Sequence, residues 1–188
     1  MAKRVFFSFH YQDVIDFRAN VVRNHKTTKH EVAGYFDSSI WEESKKESDL
    51  ALKRLINAGL QNTSITAVLI GSDTYSRTWV RYEIMKSLQK GNKLLGIHIN
   101  SIKGKDELTK RLGPNPFEFL AVEFSTDGKK IYLKEYVNGK WQKYEHLDGW
   151  SVNANSSDWG KAYKLSRYYS VYDWIKNDGY NNFAKWIE

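Results

Sequence analysis

Most of the side-chain chemistry that catalysts rely on is absent from this sequence, and what is present gathers in one stretch. There is no cysteine, which removes disulfides, thiolate nucleophiles and thiolate metal sites together. The histidines at 10, 25, 30, 98 and 146 have no ligand spacing, so no metal is expected. No P-loop, no Gly-x-Gly-x-x-Gly behind the first apolar run and no Gly-x-Ser-x-Gly elbow occurs. What remains is Ser72-Asp73-Thr74-Tyr75-Ser76-Arg77-Thr78-Trp79-Val80-Arg81-Tyr82-Glu83. It reads as a polar loop behind an apolar strand, then a helix that opens with an aromatic and carries an acid one turn later on the same side. Two readings fit. Either Trp79 packs and Glu83 is a solvated helix glutamate, or the two form a ligand site with the indole as stacking wall and the carboxylate as its charge.

The elements that position this stretch follow from periodicity. Val5-Phe6-Phe7-Ser8-Phe9 is too short for a helix before Asp13 and predicts a buried strand. A helix should follow, with Val14, Phe17, Val21 and Val22 on its apolar face. Residues 24–34 are polar and basic, and Tyr35-Phe36-Asp37 is a short strand or loop. Ser48-Asp49 starts a helix whose face is Leu50, Leu52, Leu55, Ile56 and Leu60, with Gly59 near its stop. Residues 65–70 are β-branched and apolar on both faces, as in a central parallel strand. A helix from Trp79 to Gln89, with Val80, Ile84 and Leu88, and a strand at 94–99 complete the series. Apolar strands alternating with amphipathic helices predict an α/β fold with a doubly wound, mostly parallel sheet. Such sheets bind ligands beyond the C-terminal ends of their strands, here Phe9 to Asp13, Gly71 to Ser76 and the segment after Ile99. A phosphoacceptor pair of Asp13 and Asp73 fits poorly, because Asp13 lies well beyond its strand.

From Phe117 the texture changes. Apolar runs at 119–125, 131–137 and 141–144, separated by Asp127-Gly128 and Asn138-Gly139, predict a three-stranded antiparallel meander. Leu165, Tyr168, Tyr169, Tyr172 and Ile175 recur at helical spacing, with Asp178-Gly179 as the stop and Phe183, Trp186 and Ile187 as a packed tail. The division expected is therefore an α/β core over residues 1–115 and an extension of meander and C-terminal helix over residues 116–188, packed on it. The chain of 188 residues carries 29 basic and 22 acidic side chains, a net +7. That surface favours phosphate-bearing partners without choosing among them. With no apolar run of about 18 residues, a soluble cytoplasmic protein without a membrane partner is expected.

The strand-loop-helix block Ile65 to Ser72, Tyr75-Ser76 and Trp79-Val80-Arg81-Tyr82-Glu83 resembles TIR domains, whose pattern is Ser, aromatic, Ser, Trp-x-x-x-Glu. Val5-Phe6-Phe7-Ser8-Phe9-His10 resembles the first TIR box, and the two boxes with the strand at 94–99 span roughly residues 1–115. The whole chain, including Gly113-Pro114-Asn115-Pro116-Phe117 and Tyr172-Asp173-Trp174, is similar to the TIR-like B proteins of Thoeris antiphage systems. It departs from ordinary TIR domains in its tail, since those end soon after the fifth strand.

The resemblance implies a flavodoxin-like sheet with an added meander. It also implies an enzyme that cleaves NAD+ at the nicotinamide riboside bond and cyclises the ADP-ribose into a signal for a separate effector. Glu83 then takes the family's catalytic position, with Ser8, Phe9, His10, Ser72, Trp79 and Tyr82 as substrate-binding candidates. NAD+ is substrate, and no cofactor is expected. Lys26, Lys29 or His30 could meet the pyrophosphate, in the region with Asp37 where TIR domains carry their mobile loop. A phage-derived trigger and a homodimer are implied, and a nucleic-acid partner is not. The chemistry is self-consistent: a carboxylate beside the ribose stabilises an oxocarbenium-like centre, and nicotinamide leaves neutral without a general acid. The alternative is a non-catalytic TIR-type interaction module, in which Glu83 is only a surface charge.

Overall fold

An apolar run interrupted only by Ser8 suits a strand covered on both faces. In the computed structural model, which describes residues 4–26, 32–33 and 48–188, Val5–Phe9 forms β1, and all of it except Phe9 is fully buried. β1 lies parallel to Val32–Ala33 (β2) on one side and to Ile65–Ile70 (β3) on the other. β3 in turn pairs with Lys93–His98 (β4), and β4 with Val171–Asp173 (β10), again in parallel. The order β10-β4-β3-β1-β2 is that of a flavodoxin-like doubly wound sheet.

The outermost strand beside β4 comes from far downstream, where the aromatic spacing predicts a helix. Leu165–Arg167 is instead a single 3-10 turn and Val171–Asp173 is extended, with Val171 opposite Gly96. A bare β4 would leave a row of backbone donors and acceptors unpaired, and satisfying them outweighs a side-chain period. Gly96 makes room, since a Cβ there would stand 3.0 Å from Val171. The last helix lies later, at Gly179–Trp186, so Asp178-Gly179 begins it rather than ends it. Its Phe183 and Trp186, with Ile187, pack under Val5, Phe7 and Ile97. The end of the 116–188 segment thus completes the first sheet, while its beginning builds a second.

The helix expected after β1 is two, Tyr11–Ile15 (α1) and Arg18–Arg23 (α2), broken at Phe17, whose φ of 66° is left-handed. The break turns α2 so that Arg18, Ala19, Val22 and Arg23 face inward, leaving Phe17 and Val21 exposed rather than in the core. Arg18, fully buried, donates to the carbonyls of Ile102 and Leu108 (3.0 and 2.6 Å) and so ties down the loop after β4. Asp49–Leu60 (α3) is capped by Ser48, which accepts from the Ala51 amide, and it buries Leu52, Ile56 and Leu60 while Leu50 stays exposed. Thr78–Lys90 (α4) follows β3; the C-terminal helix at Gly179–Trp186 is α5.

The second sheet contains the expected meander: Leu120–Phe124 (β5), Lys130–Val137 (β6) and Lys140–Lys143 (β7), all antiparallel. Asn138 and Gly139 both take positive φ between β6 and β7, as a tight hairpin turn requires. Two short strands join it unforeseen, Trp150–Ser151 (β8) on β6 and Ala162–Lys164 (β9) on β5. Leu120, Val122, Leu133 and Tyr144 from this region meet Val80, Ile84 and Met85 of α4 in one cluster with Val68, Ile70 and Leu94 of the first sheet. The helix α4 therefore lies between two sheets. Among the described residues, no helix is long and apolar enough to cross a membrane.

Candidate active site

Side chains alternate along β1. Val5, Phe7 and Phe9 face the cluster that includes α5, whereas Phe6 lies with Ile56, Leu60 and Tyr82 of α3 and α4. Ser8 shares the side of Phe6, and its hydroxyl donates to Glu83 Oε2 at 2.5 Å. Glu83 is only 6% exposed, so it is not a solvated helix glutamate or a surface charge.

Burial pushes the Glu83 carboxyl up to about 8, and the Ser8 hydrogen bond opposes that rise without cancelling it. The group is therefore mostly protonated at neutral pH, and a cation placed beside it would draw it into the ionised form. A buried carboxyl poised near neutrality at the C-terminal end of a central strand is suited to stabilising positive charge that develops on a bound ligand.

Trp79 is half-buried, edge-on to Tyr82 at 5.9 Å, and it packs with Phe6, Ile56 and Leu60. Tyr82 is buried, and its hydroxyl donates to Asn57 Oδ1 at 3.3 Å. Burial raises the Tyr82 hydroxyl above its ordinary range. These two aromatics thus form one wall with α3, Trp79 being the more accessible.

The other candidates are placed elsewhere. Phe9 points to the opposite face of the sheet, with the Arg23 guanidinium 5.1 Å from its ring centroid. His10, half-buried, occupies the N-cap position of α1. Ser72 donates to the Arg111 carbonyl at 2.9 Å, tying the end of β3 to a neighbouring loop. The Lys26 ammonium lies 5.3 Å from the Tyr180 ring centroid; Lys29, His30 and Asp37 lie outside the described residues. The structure therefore brings Ser8 and Glu83 into contact, sets Trp79 and Tyr82 beside Phe6, and gives Phe9 and Ser72 separate partners.

A second buried acid lies at this end of the sheet. Asp13 is buried, and desolvation pushes its carboxyl up to about 6 against the pull of Lys110 and Arg18. It occupies the space in front of Gly71, where a Cβ would stand 2.4 Å from both carboxylate oxygens. The legible signal was the pairing of an acid behind β1 with a glycine at the end of β3.

The model of the family described as Thoeris protein ThsB, TIR-like domain, matches residues 6–103, the stretch that holds both Ser8 and Glu83. Over 191 aligned positions, covering all of both chains, the sequence is 60% identical to a protein of Bacillus cereus (strain MSX-D12) named "Putative cyclic ADP-D-ribose synthase ThsB1". With a family match over more than half its length and a full-length relative at that identity, the chain belongs to the TIR-like ThsB family of Thoeris proteins.

Proposed function

We propose that the protein cleaves NAD+ at the nicotinamide riboside bond and closes the ADP-ribose into a cyclic isomer. The observation that carries this reading is the buried Ser8–Glu83 pair, joined at 2.5 Å at the C-terminal end of β1. The full-length relative is named for cyclic ADP-D-ribose synthesis, which supports the same reaction class.

The chemistry needs one carboxylate. As the glycosidic C–N bond breaks, its electron pair leaves with nicotinamide, which departs neutral, and positive charge moves onto the ribose. Glu83 as a carboxylate stabilises that charge. The pyridinium of bound NAD+ is itself a cation, so substrate shifts Glu83 toward ionisation, and Ser8 holds the ionised oxygen in place. Water attack would give ADP-ribose. An oxygen or nitrogen of the same molecule, folded back onto C1′ and losing its proton, gives the ring instead. Excluding water favours the second outcome, and the deep burial of Glu83 is consistent with such a site. Trp79 supplies an accessible aromatic face on the same helix. On this reading the product acts on a separate effector, a phage-derived component triggers the enzyme, and the working unit is a homodimer.

The test is chromatography with mass detection of NAD+ incubated with the full chain, alone and with extract from phage-infected cells, beside Glu83→Gln. Nicotinamide release with a product isomeric to cyclic ADP-ribose, absent in the variant, is expected. Absence of turnover in every arm, with Glu83→Gln retaining defence activity in cells, would overturn the reading in favour of an interaction module.

A further inference from the structure

Behind α4, on the side away from Glu83, a cleft of about 500 Å³ opens between the start of that helix and the second sheet. Tyr75, Phe119 and Tyr136 form a continuous aromatic row in its lining, with successive ring centroids 4.9 and 6.2 Å apart. Among the described lining residues, Arg81 is the one Arg or Lys and Glu135 the one carboxylate. They bind each other at 2.8 Å, and Arg81 also donates to the Tyr75 carbonyl at 3.0 Å. The two charges cancel, so a phosphate would have to break that pair to gain the arginine.

Tyr144, also in the lining, is 1% exposed, and its hydroxyl has no hydrogen-bond partner among the described residues. Glu135, Tyr82 and Arg81 act on it electrostatically, and the His146 ring, also in the lining, stands edge-on to it at 5.4 Å. A buried hydroxyl left unpaired is unfavourable and is ordinarily satisfied by protein, water or ligand. The volume falls within the usual range of small-molecule sites, and aromatic walls with a few convergent polar groups are their usual lining.

We propose that this cleft is a second binding site, for a neutral planar heteroaromatic ring with an amide or amine edge. Tyr75, Phe119 and Tyr136 supply the stacking faces, the Gln142 amide meets the polar edge, and the Tyr144 hydroxyl, covered in the structure, is reached as the ligand displaces the side chains over it. A plain hydrocarbon ring would leave Tyr144 unpaired, and an anionic ligand would meet the cancelled charges. Two sources present this chemistry: nicotinamide, which the reaction proposed above releases, and the adenine of a nucleoside. The site depends on the cleft and not on turnover, so binding tests it even if the cyclase reading fails.

The experiment is saturation-transfer NMR followed by calorimetric titration on the full chain, with nicotinamide and adenosine as separate probes. It is run on the wild type, Tyr144→Phe, Tyr136→Ala and Trp79→Ala. Saturation transfer to at least one ring is expected, with Kd raised about 3- to 10-fold in Tyr144→Phe through one lost hydrogen bond. Tyr136→Ala should raise it by about tenfold or more through lost stacking, and both losses should persist in the Trp79→Ala background, where binding at the Glu83 site is weakened. Binding of nicotinamide alone marks a product site, and binding of adenosine alone a purine site. Tyr144→Phe removes a single oxygen from the packed fold, so the test survives if Tyr136→Ala does not fold. No transfer to either ring at millimolar concentration overturns the proposal. So does an affinity that falls with Trp79→Ala and ignores Tyr144→Phe.

Discussion

Replacing Ser8 with Ala isolates the hydrogen bond on which the active-site reading rests. Glu83 sits at about 8 because burial raises it and, among the described residues, the Ser8 hydroxyl alone lowers it. A hydrogen bond to a charged group is worth about 1.5–3 kcal/mol, or about 1 to 2 pKa units, so Ser8→Ala should move the group to about 9 or 10. At pH 7 the ionised fraction of the free enzyme then falls from about a tenth to between about a hundredth and a thousandth. Because kcat/KM reports the free enzyme, it should drop about 10- to 100-fold at pH 7 and recover to within a few-fold at the alkaline limit. The profile of kcat should inflect at lower pH than that of kcat/KM in both proteins, since the substrate's pyridinium favours the carboxylate. The assay is nicotinamide release at low and saturating NAD+ across the pH range, in triggered extract, with circular dichroism as the check on folding. A variant that loses rate equally at every pH, with its inflection unmoved, would refute the assignment of Glu83 as the ionising group that Ser8 holds.

Glu83→Gln should lower turnover about a hundredfold or more and yet stabilise the fold. The carboxyl's folded value of about 8 exceeds its ordinary 4.5, so the folded state holds the extra proton and stability falls as pH rises between the two; the variant should gain up to about 4 kcal/mol near pH 8 and nothing below about pH 4.5, read by urea denaturation at pH 4.5 and 8. Asp13→Asn has the same sign over a lower window, from 3.8 to about 6, with a gain of about 2–3 kcal/mol above pH 6 that vanishes near pH 3.8. Gly113→Ala would place a Cβ 1.9 Å from the Gly71 carbonyl oxygen, and thermal denaturation should show a loss of about 1–3 kcal/mol. Gly139→Ala meets nothing within 4 Å but must hold φ at 79°, so its cost should be about 1 kcal/mol and purely conformational.

Patterns that a segment carries within itself were legible. β3 and β4 are apolar on both faces because helices and the second sheet cover them, and Asn138-Gly139 specifies its own turn. Interactions between distant segments were not. Val171–Asp173 follows a helical period of aromatics and becomes a strand because β4 needs an edge partner. Phe17 and Val21 continue an apolar face that a single left-handed residue then turns outward. In the site, Glu83 and Ser8 were each legible from the TIR-like boxes, but their contact was not, since they lie 75 residues apart and meet only across the fold. Phe9 stands next to Ser8 in sequence, and the alternation of a strand sends it to the other face.

The second sheet gives α4 a fixed orientation as well as a cover. Residues two apart on an α-helix point about 200° away from each other, so whatever fixes Arg81 also fixes the direction of Glu83. Arg81 is held on three sides, by the Glu135 carboxylate at 2.8 Å, the Tyr75 carbonyl at 3.0 Å and the Tyr136 carbonyl at 3.4 Å. Glu135 and Tyr136 belong to β6. The pair is largely buried, with side chains 8% and 14% exposed, and a buried ion pair contributes little net stability once desolvation is counted. Its effect is directional: it sets the rotation of α4 that keeps Glu83 against Ser8. The sheet's apolar face covers the other side of α4 through Leu120, Val122 and Leu133. An appendage that looks from its sequence like an addition to the α/β core thus sets the direction of the core's acid.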